Sequence, residues 1–277
     1  TPEWWRLLVG VAIVSVASFA LSAVVVGLLT SVFGRDWMAA LPLGATPSHM
    51  VVLMGGFAFV TAGVALAVRV MHDRSLLSVL GPLPIAVRQF RAVLRMLLVV
   101  AVVIVVLPPY DLGEPLQDDL PLGRWLVLLP VSMVVVLIQT SAEEILFRGY
   151  LQQALAARFS SPLVWLLVPS VLFAMGHYVP AEAGANAPII ALWAGVFGLM
   201  MADLTARSGT LGPAIAVHFF NNIVALVFIA PPEGLNGLSL YVLPYAMDDT
   251  DVMREWLAVD FAMMLVTWLA ARIALRR

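Results

Sequence analysis

The chain has 277 residues, 62% hydrophobic and 12% charged, with a formal net charge of −2. A soluble domain carries roughly a quarter charged residues, so a water-soluble globular fold is excluded, and without a basic tract nothing points to nucleic acid. Cysteine is absent, which excludes disulfides, iron–sulfur clusters, thiolate zinc sites and cysteine nucleophiles.

Uncharged apolar runs of about 20 residues match the thickness of a bilayer core. Eight of them are expected as spans, at 7–29, 50–70, 91–107, 125–156, 162–179, 187–206, 211–230 and 254–275. The fold class is therefore all-α: a polytopic transmembrane helix bundle in which residues 1–277 form a single membrane domain. The first run is too long for a signal-peptide core and reads as a retained span. Trp4, Trp5, Trp125 and Trp256 fall near span ends, where interfacial anchors sit. Residues 71–90, with Gly81-Pro82-Leu83-Pro84, read as an interfacial segment, and His49 and His72 as interfacial, solvated histidines. Gly55, Gly56, Gly63, Gly195 and Gly198 read as sites of close helix packing. Asp203 and Arg95 lie near span ends and are expected to snorkel.

All fifteen basic residues are arginine. Alternating the sides of the membrane puts Arg6, Arg69, Arg74, Arg88, Arg91, Arg95, Arg158, Arg207, Arg272, Arg276 and Arg277 on one face, against Arg35, Arg124 and Arg254 on the other. The positive-inside rule then places both termini in the cytoplasm, with the chain in the plasma or inner cell membrane.

Ionisable groups inside hydrocarbon ask for an explanation. The fourth span carries Glu143-Glu144-Ile145-Leu146-Phe147-Arg148. Glu144 and Arg148 are four apart and share a helical face; Glu143 points about 100° away. One acid can be neutralised by the arginine while the other stays available for chemistry. The fifth span ends in Phe173-Ala174-Met175-Gly176-His177. Glu143 precedes Ser160, at the turn between these spans, by 17 residues and His177 follows it by 17, so antiparallel helices would bring the two to one depth. The seventh span adds His218 and Asn222, again four apart. This set suits the activation of water at an amide. A glutamate in a low-dielectric site is a stronger base, a histidine orients the water or moves its proton, and a second histidine with an asparagine amide supplies donors to an oxyanion.

Glu143-Glu144-x-x-x-Arg148, Phe173-x-x-x-His177 and His218-x-x-x-Asn222, in that order on apolar segments, resemble the family of CAAX prenyl endopeptidases and their bacterial relatives, including bacteriocin-processing and immunity proteins. Phe147-Arg148-Gly149 extends the first motif, and the resemblance covers a core at roughly 124–230. It implies a CAAX-protease-like intramembrane glutamic endopeptidase working without metal or other cofactor. Glu143 would be the general base, His177 would assist the water, His218 and Asn222 would hold the oxyanion, and Glu144, Arg148 and Phe173 would support the geometry. The partners implied are the bilayer and a membrane-associated protein or peptide substrate, prenylated in the eukaryotic members. Other readings stay open: a zinc peptidase using these histidines and a glutamate, a non-catalytic immunity or partner-binding protein, a proton-relaying transporter, or a structural polar cluster between helices.

Overall fold

The computed structural model describes residues 3–107 and 115–275. Arg276 and Arg277, which entered the charge count above, lie outside the described residues. The principal helices are α1 (Trp4–Phe33), α2 (Pro47–Gly56), α3 (Ala58–His72), α4 (Leu83–Val106), α5 (Leu122–Glu144), α6 (Pro162–Gly176), α7 (Ala187–Ser208), α8 (Gly212–Ile223) and α9 (Thr250–Ala274). The protein is an all-α, multi-pass membrane protein. Among the described residues, six helical stretches are long and apolar enough to cross a bilayer: Trp4–Phe33, Pro47–His72, Leu83–Val106, Leu122–Ala156, Pro180–Ser208 and Thr250–Ala274. The other two expected spans form shorter apolar helices, Pro162–Gly176 and Gly212–Phe228. At 1.5 Å per residue these reach about 23–26 Å, less than a hydrocarbon core of about 30 Å.

Several local expectations change. Part of the segment read as interfacial is helical: α4 starts at Leu83 with a proline in its first turn, where a missing N–H costs nothing. The second span breaks at Phe57, just after Gly55-Gly56. A Cβ on either glycine would meet nothing within 4 Å, so they are not close-packing positions; they mark the break, as glycine pairs do in helices. Trp125 is no interfacial anchor. It is buried, and its indole Nε1 donates to the Val227 carbonyl at 2.8 Å. His49 is not solvated either: it is 4% exposed, with its ring edge-on to Trp37 at 4.6 Å. Asp203 does not simply snorkel, since it accepts from Arg207 at 2.6 Å and from the Trp268 indole at 3.1 Å.

Contacts divide the chain into two compact units, and the dividing line falls inside one helical run, between Leu146 and Phe147. The first unit comprises Thr1–Leu76, Leu116–Leu146 and Asn221–Pro244. In it α1 lies on α3, with Gly63 so close to α1 that a Cβ there would meet the Val14 carbonyl at 2.9 Å. Helix α2 packs on α5 around Met50, Met54, Val135 and Leu238. Three two-residue strands, β1 (Gln117–Asp118), β2 (Ile229–Ala230) and β3 (Tyr241–Val242), tie its loops in the order β1-β3-β2, antiparallel and then parallel.

The second unit comprises Leu77–Pro115, Phe147–Phe220 and Tyr245–Arg277. Helix α6 packs along α7, and α4 along α9, around a core that includes Val93, Leu97, Phe173, Phe197, Met201 and Leu204. Its connections are tightly seated. Leu211 N–H donates to the Leu80 carbonyl at 3.1 Å, and a Cβ on Gly212 would stand 2.1 Å from the Ala86 carbonyl oxygen. Gly212→Ala is therefore expected to destabilise the protein by about 1–3 kcal/mol through overpacking. Gly27→Ala, which would meet nothing within 4 Å, should leave the thermal midpoint in detergent unchanged or slightly raised.

Candidate functional site

In the first unit, Glu143 and Glu144 end α5. Glu144 is fully buried and Glu143 half-buried, as expected of neighbours pointing about 100° apart. Beyond Glu144 the helix does not continue as α. Residues Ile145–Gln152 form a π-helix, whose i→i+5 hydrogen bonds widen each turn. The four-residue spacing of Glu144 and Arg148 thus runs from the end of an α-helix into π geometry. Asn222 lies on α8, and its Nδ2 donates to the Gln139 Oε1 at 2.8 Å, while its own oxygen accepts from Asn221 at 3.3 Å. Gln139 is 5% exposed and lies four residues before Glu143 on α5, hence on the same face. It was missed in the sequence; a buried amide one turn from a motif acid is the signal that would have found it.

In the second unit, four of the motif residues meet around one ring. Phe173, on α6, is 2% exposed. The Arg148 guanidinium lies over its face, 4.8 Å from the centroid. The His177 ring stands 4.4 Å away and the His218 ring 6.0 Å, the latter edge-on. Phe147 makes a further edge contact at 5.2 Å. Phe197 backs the group, 5.1 Å from His218 and stacked on Trp193 at 5.3 Å.

Arg148 is fully buried, and its Nη2 donates to the Gly198 carbonyl at 3.1 Å. That bond explains Gly198: a Cβ there would press on Ser170 at 3.1 Å and on Arg148 Nη2 at 3.2 Å. The reading of Gly198 and Gly63 as close-packing positions thus holds, and Gly195 follows, 3.3 Å from the Ala174 methyl. His177 is the residue just past the C-terminus of α6, and its Nδ1 lies 2.8 Å from the Phe173 carbonyl. A carbonyl only accepts, so in the neutral imidazole Nδ1 carries the proton and Nε2 keeps its lone pair. His177 is thereby held as the tautomer that can take a proton from water. His218, on α8, is 3% exposed.

Arg148, Phe173, His177 and His218 are brought together in the second unit; Glu143, Glu144, Gln139 and Asn222 belong to the first. Phe173→Ala is expected to cost about 3–5 kcal/mol of stability, since it removes a buried aromatic and the face on which the arginine rests. Phe173→Leu, which keeps much of the volume, should cost less than half of that in the same thermal unfolding assay.

Residues 124–224 match the family described as type II CAAX prenyl endopeptidase Rce1-like, a stretch that contains every motif residue named above. An uncharacterized protein of Bacillus subtilis (strain 168), YyaK, is 29% identical over 197 residues, covering 69% of this chain. The chain spans 62% of the length of that relative. No solved structure matches.

Proposed function

We propose, from the match of residues 124–224 to the type II CAAX prenyl endopeptidase Rce1-like family, that this chain is a metal-independent intramembrane endopeptidase. Its substrate would be a membrane-associated protein or peptide, cut near its end. The observation that most supports this reading is the gathering of Arg148, His177 and His218 on the Phe173 ring, with His177 held as the Nδ1–H tautomer.

In this reading Glu143 is the general base that takes a proton from the attacking water, and His177 Nε2 accepts a hydrogen bond from the same water and orients it. As the hydroxide adds to the amide carbon, negative charge collects on the carbonyl oxygen. His218 and the Asn222 amide donate to it. Gln139 accepts from one Asn222 N–H, which fixes which end of that amide presents donors and leaves the second N–H for the oxyanion. Collapse of the tetrahedral intermediate breaks the C–N bond, and the proton held by Glu143 passes to the leaving amine. Glu144 and Arg148 are assigned, as in the motif, to supporting the geometry around these groups. The excess of arginine on one side supports cytoplasmic termini.

Glu143→Ala should abolish cleavage while leaving detergent extraction and the thermal midpoint nearly unchanged. The readout is terminus sequencing of membrane proteins from cells with active and with variant protein; cleavage by the variant would remove the assignment. Gln139→Leu should lower kcat by up to about 100-fold, with a smaller change in KM, because it frees the Asn222 amide to rotate. Activity should persist after treatment with a chelator. A stoichiometric zinc that activity requires would favour a metallopeptidase instead.

A further inference from the structure

Helix α4 carries three arginines, and its geometry sends them all one way. With about 100° between successive residues, Arg88, Arg91 and Arg95 fall within about 60° of one another. Ala86, Val93 and Leu97, the buried residues of α4, stand on the opposite side. All three arginines are exposed. The same stripe continues into Leu98, Val102 and Val105, which are exposed as well. One outward face of the helix thus passes from three cations to an apolar track.

Pairing and depth set these arginines apart. Three other arginines have an acid one turn away: Arg6 pairs with Glu3, Arg69 with Asp73 and Arg207 with Asp203. Helix α4 holds no Asp or Glu, and Arg88, Arg91 and Arg95 make no ion pair among the described residues. A hydrocarbon core takes about 20 helical residues. Counted back from Val106, where α4 ends, it reaches Val87, so the three arginines fall at or inside its edge. Arg95, halfway along the 24-residue helix, turns back: its Nε donates to the Arg91 carbonyl at 3.1 Å. Its guanidinium is thereby brought toward Arg91. An arginine so placed snorkels to the interface, where it meets lipid headgroups.

We infer that this stripe is a binding site for anionic phospholipid. Arg91 and Arg95 receive the phosphodiester, whose oxygens match the planar fork of guanidinium donors. Arg88 adds charge at the headgroup, and an acyl chain lies along Leu98, Val102 and Val105. A zwitterionic headgroup carries its own cation against the phosphate, so three uncompensated charges select a net-negative one. The apolar track selects a lipid over a soluble phosphate. Lipid binding of this kind does not depend on the peptidase reading.

The test is native mass spectrometry of the full chain in detergent, titrated with phosphatidylglycerol or with phosphatidylcholine of the same acyl chains. A basic residue near an anionic headgroup contributes about fivefold in affinity. Phosphatidylglycerol should therefore bind at least about tenfold more tightly, and less so as salt is raised. Arg88→Gln, Arg91→Gln and Arg95→Gln together should bring the ratio close to one. Arg69→Gln, at an exposed ion pair, should leave it unchanged. The triple variant should keep the parent's thermal midpoint; should it unfold, Arg91→Gln alone should still cut the preference about fivefold. A ratio near one in the unaltered chain, or a preference that survives the triple substitution, would overturn the site. Displacement of the lipid by equimolar glycerol phosphate would overturn it in favour of a soluble anion. Binding of polyglutamate without any lipid preference would overturn it in favour of an acidic protein.

Discussion

The Arg148 guanidinium resting on the Phe173 ring is the interaction on which the second unit is organised. A charge at membrane depth costs several kcal/mol unless the protein receives it, and here an aromatic face at 4.8 Å and the Gly198 carbonyl at 3.1 Å do so. The carbonyl is reachable only because Gly198 has no side chain. Once Phe173 is held between arginine, Phe147 and Phe197, its own carbonyl has a fixed direction and sets the tautomer of His177. Its ring edge sets the plane of His218. Aromatic packing thus does the orienting that water or a second polar layer would do in a soluble enzyme.

The change from α to π geometry directly after Glu144 has a physical consequence for the motif. An α-helix places positions four apart on one face, and a short motif such as Glu-Glu-x-x-x-Arg invites that reading. Widening the turn from Ile145 onward changes the angular step between successive side chains within the stretch. Such segments recur at functional sites because they trade regular hydrogen bonding for a specific side-chain direction. Here Arg148 is received by the Phe173 ring of α6 and the Gly198 backbone carbonyl of α7.

Polar groups that apolar helices carry in this chain answer to the same constraint. Asn222 meets Gln139, Trp125 meets a backbone carbonyl, and Asp203 meets Arg207 and Trp268. Bilayer hydrocarbon gives a polar atom no alternative, so the pattern of partners reads as a map of where the protein needs polarity.

Composition alone determined that this is a membrane protein, because hydrophobic runs of bilayer length cannot be accommodated otherwise. Helical spans and the identity of the motif residues were likewise legible, since hydropathy and residue order are local properties. The tertiary structure decided the rest. Whether Trp125 and His49 face lipid headgroups or the interior depends on which helices pack on them, not on their distance from a span's end. Gly55 and Gly56 break a helix while Gly198 seats an arginine, although all three look alike in sequence, because a glycine's role is set by what stands where its side chain would be. Gln139 escaped notice for the same reason: an amide acquires its part only when another chain segment brings it a partner.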